Sequence, residues 1–277
     1  MGVRFLSLSF LLFTSIHLQA QRGWELGGNL GVGYYFGDLN SQFDLGLPRP
    51  SGGVLGKFLF NTRTSFRLGL QYSLVEARDS RSENTFQQVR NLSFRSHIGE
   101  VQGVFEFNFL PLKRGDKDHF WTPYVFLGGS FLYFEPQARY QEEWVRLRPL
   151  GTEGQAQGDE YLPFHGALVY GLGVKLNLNT RWTLFAEVNA RAALTDYIDD
   201  VSTTYPDNDQ LRANRGDVAA DLSDRSLIIP GINDSPLGEE GRQRGEVQSM
   251  DQIGTINIGI TYFFGDLACP EISRPRL

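Results

Sequence analysis

The 277-residue sequence predicts an all-β fold, an eight-stranded antiparallel transmembrane β-barrel with long external loops. Three observations predict it. Eight segments are strand-like, the best of them alternating apolar and polar residues with a period of two, so that each strand has one apolar and one polar face. The connections between them alternate long and short without exception. Aromatic residues gather at the segment ends, where a membrane-spanning barrel places its interfacial girdles. A soluble sandwich has no reason to keep its long loops on one side. An outer-membrane barrel does, with short periplasmic turns, longer external loops and both termini inside. No run after residue 20 is apolar for 18 residues, which excludes a helical span and leaves a barrel open.

The chain opens MGVRFLSLSFLLFTSIHLQA, with a basic Arg4, an apolar stretch over 5–16 and the small-residue end Leu18-Gln19-Ala20. This pattern predicts a signal peptide over 1–20, followed by the barrel over 21–264 and a periplasmic C-terminal tail over 265–277. Cys269 is the only cysteine, so no internal disulfide framework forms.

In order, the predicted strands begin with 24–36 and 52–60. In the third, Phe66, Leu68, Leu70, Tyr72 and Leu74 oppose Arg67, Gly69, Gln71 and Ser73. The fourth, within 92–110, sets Val101, Phe105, Phe107 and Phe109 against Glu100, Gln102, Glu106 and Asn108. The fifth covers 121–134. The sixth sets Leu168, Tyr170, Leu172 and Val174 against Gly171, Gly173, Lys175 and Asn177. The seventh sets Trp182, Leu184 and Val188 against Thr183, Glu187 and Arg191, and the eighth covers 255–264. Long connections at 37–51, 77–91, 135–163 and 196–250 then lie outside, and short turns at 61–63, 111–119 and 179–181 lie in the periplasm.

The inward faces carry Glu25, Lys57, Arg67, Glu100, Glu106, Lys175, Glu187 and Arg191. An eight-stranded barrel has room inside only for side chains, and isolated buried charge is costly. These acids and bases are therefore expected to pair, plugging the lumen and leaving no general pore. Lys175, Glu187 and Arg191, on neighbouring strands, are expected to share one network.

YYFGDLN (34–40), RNLSFRSHIGEVQGVFEFNF (90–109), PYVFLGG (123–129), PLGTEGQ (149–155) and TDYIDDVSTTY (195–205), followed by Arg244-Gly245, point further. Over 23–264 the chain resembles the PorG-like outer-membrane β-barrel family of the type IX (Por) secretion system of Bacteroidota. The resemblance implies a non-enzymatic component in the outer membrane of a Gram-negative, Bacteroidota-type cell. It implies outer-membrane lipids as surroundings, and the periplasmic ring of the PorK lipoprotein and PorN as partners. It implies no catalytic residue and no cofactor.

The rim stretch Asp196, Tyr197, Asp199 and Asp200, with Gly151, Thr152, Glu153 and Gly154 of PLGTEGQ, has three readings. The carboxylates order the rim by bonding backbone amides, touch a partner, or bind Ca²⁺, although the spacing is not that of an EF-hand. Ser96-His97 falls on opposite faces of a strand, which argues against a nucleophile–base pair, and His119 and His165 suggest no site. The glycines of GNLGVG (28–33) lie inside a strand with no helix following, so they are not a phosphate loop. The chain has 26 Lys and Arg against 32 Asp and Glu, with no basic stripe for nucleic acid. The segment 196–250 alone holds 12 acidic and 5 basic residues. No small-molecule substrate is predicted. Two alternatives remain beside a secretion component: a small surface barrel with a binding or structural role, and a barrel enzyme acting on lipid.

Overall fold

The structure is a computed structural model that describes residues 22–246 and 250–265. The expected signal peptide, Cys269 and nearly all of the expected tail lie outside the described residues. The strands are β1 (Gly23–Phe36), β2 (Arg49–Leu59), β3 (Thr64–Arg78), β4 (Ser93–Asn108), β5 (Trp121–Tyr140), β6 (Glu143–Arg146), β7 (Phe164–Asn177), β8 (Trp182–Ala193) and β9 (Gln252–Phe264). Their order is β4-β3-β2-β1-β9-β8-β7-β5-β6, and β4 also pairs with β5, so the sheet closes on itself. β6 pairs with β5 alone, folding back on its end from Gln137↔Arg146 to Tyr140↔Glu143. The wall is thus a closed barrel of eight antiparallel strands, with no free edge running along it.

The outward face is apolar. Leu30 is 77 % exposed and Phe131 76 %, within a continuous belt that includes Leu70, Val101, Leu172, Val188 and Ile258. So large an apolar surface is untenable in water and suited to lipid. Aromatics bound the belt. At the short-turn end Trp24 lies 5.1 Å from Phe58, and Trp182 lies 4.9 Å from Tyr262. At the long-loop end Tyr133 lies 5.0 Å from Phe164. From Trp24 to Tyr34 a strand rises roughly 33 Å, or about 25 Å along the axis at a tilt near 40°, enough to span hydrocarbon. No described helix is long and apolar enough to cross a membrane.

Two of the short turns have the same sequence, Asn61-Thr62-Arg63 and Asn179-Thr180-Arg181. In each, the Asn Oδ1 accepts from two backbone amides, those of Arg63 and Thr64 (2.7 and 2.8 Å) or of Arg181 and Trp182 (2.8 and 2.9 Å). In each, the arginine then donates to backbone carbonyls at the end of a neighbouring strand: Phe109 O at 2.6 Å, and Phe263 O at 3.3 Å with Gly265 O at 2.9 Å.

At the other end β3, β4 and β5 continue past the belt as a raised wall. Its inner face is not charged. Val75, Ala77, Phe94, Ile98, Phe134 and Ala138 are buried there against Ile198, Val201 and Leu222 of the long connection before β9. The described part of that connection fills the mouth. It carries α2 (Asn208–Arg215), capped by the Asp207 side chain on the Asp209 and Gln210 amides, and α3 (Asp217–Ser223), beyond Gly216 at φ +90°. A third short helix, α1 (Thr85–Arg90), lies between β3 and β4. The sequence alone showed neither these helices nor β6, because loop helices bury too little surface to impose a long apolar period.

Candidate functional site

Two stacked clusters occupy the barrel axis. The lower one, toward the short turns, is the charged lumen. Glu106 on β4 is its hub: Lys175 Nζ donates to it at 2.6 Å, Lys57 Nζ lies at 3.0 Å and Arg67 Nε at 3.3 Å. Arg67 also donates to Glu187 at 2.7 Å, where the Tyr124 hydroxyl donates at 2.7 Å as well. Gly173 faces this group, and a Cβ there would come within 2.8 Å of the Tyr124 ring, so only glycine leaves room. Glu25 lies 3.7 Å from Lys57 and pairs with Arg114. The residual cavity beside Glu25, Lys57, Arg114 and Lys175 is about 20 Å³, room for about one water.

Lys175, Glu187 and Arg191 join one network, but through intermediaries and not by pairing with one another. Lys175 pairs with Glu106, Glu187 with Arg67, and Arg191 with Glu100 at 2.6 Å. The side chains reach across the lumen to β3 and β4, whereas the strand register sets Lys175 opposite Phe185 and Glu187 opposite Gly173. Asn189 links the levels, donating to Glu187 at 3.2 Å and accepting from Arg191. Arg114 was missed because its turn looked like a basic surface loop. No sequence signal pointed to it, since the four inward acids were already matched by four inward bases.

The upper cluster is the plug, and it gathers residues from nearly every external connection. Tyr35 Oη lies 2.6 Å from Asp199 Oδ2 and 2.5 Å from Asp251 Oδ1. A hydroxyl has one proton and donates to one carboxylate. The other contact therefore requires a protonated carboxyl that donates to Tyr35. The outer oxygens accept from backbone, Asp199 from Val201 N at 2.9 Å and Asp251 from Ile198 N at 2.8 Å. Burial, with Asp251 and Asp38 nearby, holds Asp199 well above the usual carboxylate range, and burial pushes Asp251 up to about 8. A Cβ on Gly37 would lie 2.1 Å from Tyr35 Oη and 2.3 Å from Asp251, so this cluster closes only over a glycine.

Around this core the rim motifs lock together. Glu153 accepts from the Ser202 and Thr203 amides at 2.8 and 3.0 Å, and from Arg244 at 3.1 Å. Arg244 donates to Asp200 O at 2.5 Å. Thr152 and Tyr161 donate to the Asp200 carboxylate, Tyr161 at 2.7 Å. Asp200 itself sits in the left-handed region at φ +68°, as does Gly151 at +57° and Gly154 at +83°. Burial raises Asp200 to about 6 against the pull of Arg244. Arg90 holds Asp79 through both oxygens at 2.7 and 2.8 Å and donates to the carbonyls of Arg244 and Asp38 at 2.6 and 2.9 Å. Asp38 Oδ2 accepts from Glu246 N at 2.8 Å. Tyr197 stacks on Tyr161 with centroids 4.5 Å apart. Asp196 is half-buried at the edge, raised to about 8 by burial and by Asp251 and Asp38.

Of the rim residues singled out in the sequence, Asp199, Asp200, Thr152 and Glu153 therefore meet in one network. Tyr35, Asp38, Arg90, Arg244 and Asp251, which complete it, were not singled out as site residues. Among the described residues no group of three or more His, Cys, Asp or Glu is arranged to hold a metal ion. Ser96 is buried in the interior while His97 bonds the outward Tyr72 at 2.7 Å, so the two share no site. A polar cleft of about 670 Å³ opens on the outer surface between 153–157 and α2, lined by Pro206, Gln210, Asn214 and Arg215 among others.

Comparison with known proteins gives the following. The family described as "Domain of unknown function (DUF6089)" matches residues 3–223. No curated protein matches the chain. Among solved structures, the outer membrane protein OprG from Pseudomonas aeruginosa is similar at 12 % identity and a TM-score of 0.44, over 89 % of this chain and 98 % of that one. Neisserial surface protein A is similar at 9 % identity and a TM-score of 0.41, over 87 % and 97 %. The N-terminal β-barrel domain of Pseudomonas aeruginosa OprF is similar at 8 % identity and a TM-score of 0.38, over 88 % and 100 %.

Proposed function

The chain belongs to the DUF6089 family, and from that premise we propose that it is a non-enzymatic outer-membrane barrel serving as a component of the type IX protein secretion machinery. In this reading the long loops face outward and the short turns face the periplasmic ring of PorK and PorN. The observation that carries it is the plug. Four of the stretches that resemble PorG-like proteins, 34–40, 90–109, 149–155 and 195–205, meet at the barrel mouth with Arg244-Gly245. The stretches that carry the resemblance are thus chiefly those that form the closure. A barrel sealed by an ion-paired lumen below and a hydrogen-bonded plug above suits a scaffold and does not suit a conduit. Lys113 and Lys117 stay exposed on the short-turn side for a periplasmic contact.

The test is affinity purification of the tagged protein after gentle detergent extraction, together with secretion of sorting-domain cargo from a deletion strain. PorK and PorN are expected to co-purify and cargo secretion to fail. Recovery of the barrel alone, with secretion intact, refutes the assignment. The polar outer cleft favours the second reading, a surface barrel that binds an external ligand, and that reading takes over if the first fails.

A further inference from the structure

Successive rows of outward-facing residues can be read across β3, β4, β5 and β6 from the strand register. Leu70, Val101 and Phe131 form an apolar row. The row above it is Tyr72, Gly99 and Tyr133. Then come Leu74, His97 and Glu135, then Glu76, Arg95, Gln137 and Arg146, then Arg78 and Arg139 with Trp144. Apolar, aromatic and cationic rows follow one another in the order of hydrocarbon, interface and headgroup. The Glu76 row stands four residues beyond Tyr72, about 10 Å along the axis at a barrel's usual tilt. A long arginine side chain reaches the headgroup layer from there.

The arginines are held in place. Arg49 and Arg78 both pair with the buried Glu76, Arg78 at 2.6 Å. Arg95 donates to the neutral Gln137 at 3.1 and 3.0 Å, and its guanidinium lies 3.7 Å from the Trp144 ring centre. Arg146 pairs with Glu135 at 3.0 Å yet stays 66 % exposed. Five arginines (49, 78, 95, 139 and 146) face three acids (Glu76, Glu135 and Glu142), on a cap whose largest loop holds 12 acidic and 5 basic residues. The excess is one-sided. The outward positions of β1, β7, β8 and β9 hold no Lys or Arg, and the apolar surface there runs up to Phe164 and Leu194 near the strand tops.

We propose that this arginine-bearing wall binds the phosphate groups of outer-leaflet glycolipid, with Arg78 and Arg95 as its principal contacts. A guanidinium presents a planar fork that matches a phosphate, and pre-ordering by Glu76, Gln137 and Trp144 lowers the entropy lost on binding. The plug seals the barrel inside the wall while the wall's outer face fastens the lipid around it. This proposal rests on the outer-membrane placement and not on the secretion role.

The test uses the full mature chain, refolded and checked by heat-modifiable migration, with rough lipopolysaccharide carrying both lipid A phosphates as the probe. Phosphatase-treated lipopolysaccharide and inorganic phosphate are the comparison probes. Tight, salt-sensitive binding to the phosphorylated lipid is expected, with at least a tenfold loss for Arg78→Gln/Arg95→Gln and no change for Arg63→Gln at the opposite end. Equal binding by the double variant, or by the dephosphorylated lipid, overturns the proposal. Competition by inorganic phosphate at the lipid's own concentration overturns the assignment to lipid. Should the double variant lose heat-modifiability, the salt and phosphatase comparisons on the wild type decide alone. Failure of the wild type to insert into vesicles refutes the membrane placement itself and is thereby distinguished from failure of the phosphate site.

Discussion

The lower lumen and the plug are both buried and both rich in carboxylates, and they neutralise them in opposite ways. In the lumen each acid meets a cation: Glu106 alone faces Lys57, Arg67 and Lys175, and Glu25, Glu187 and Glu100 are paired with Arg114, Arg67 and Arg191. At the centre of the plug, Asp199 and Asp251 meet each other across Tyr35, and the nearby Asp38 and Asp196 add to the negative charge. Bound protons do there what arginine and lysine do below. The difference teaches that the lower cluster is a fixed strut, whereas the upper one is a lock whose strength depends on its protonation.

The largest effect should come from breaking the strut. Glu106→Gln leaves three cations around a neutral amide, and an uncompensated buried charge costs about 3–5 kcal/mol. The urea midpoint of the refolded barrel should fall accordingly. A cost below about 1 kcal/mol would mean that the lumen is hydrated and the contrast with the plug is lost. Tyr35→Phe should cost less, about 1–3 kcal/mol, because it removes one hydroxyl from between two carboxyls that keep their backbone donors. Its effect should be local, seen as faster protease cleavage within 196–246 while the barrel's unfolding midpoint barely moves. Loss of the whole barrel in this variant would show that plug and wall fold as one unit.

The smallest effect at neutral pH, and the sharpest test of the comparison, is titration. Carboxyls raised on folding bind their protons more tightly in the folded state. The stability this lends is complete below their unfolded values near 4 and is lost as pH rises through the folded ones. With Asp38 and Asp200 at about 6 and Asp196 and Asp251 at about 8, the plug should loosen as pH rises from about 4 to about 8, opposite to the usual acid lability. Protease cleavage of 196–246 should accelerate severalfold over that range, and Asp251→Asn, which stays neutral, should flatten the profile. A plug that is instead most stable at pH 9 would show that its carboxylates are ion-paired after all.

The wall and the lumen were legible in the sequence because both are periodic. Glu25, Lys57, Arg67, Glu106, Lys175 and Glu187 sit on the polar side of alternating strands, and a barrel has one inside. The raised wall was less legible. Around Val75, Phe94 and Phe134 the inward positions turn apolar, since they face a plug and not a charged lumen, and the alternation that marks a strand fades. The plug itself was legible only in fragments. TDYIDDVSTTY announced carboxylates, but Tyr35 comes from β1, Glu153 from another connection, and Arg244 and Asp251 from the far end of the same one, and no local pattern tells which of them will meet.

The contact between Tyr35 and Asp251 also orders events in time. These residues are 216 positions apart and flank the line where β1 meets β9, the pairing that joins the two ends of the sheet. The hairpins β2–β3 and β7–β8 need only their three-residue Asn-Thr-Arg turns and close locally, at little entropic cost. The β1–β9 seam closes a loop that spans every intervening strand and carries the highest closure entropy, so it is expected to form last. Tyr35 cannot reach Asp251 until that seam has zipped, so a locked plug certifies a finished barrel, and a chain stalled with an open seam presents an unlocked mouth by which it can be told from a completed one.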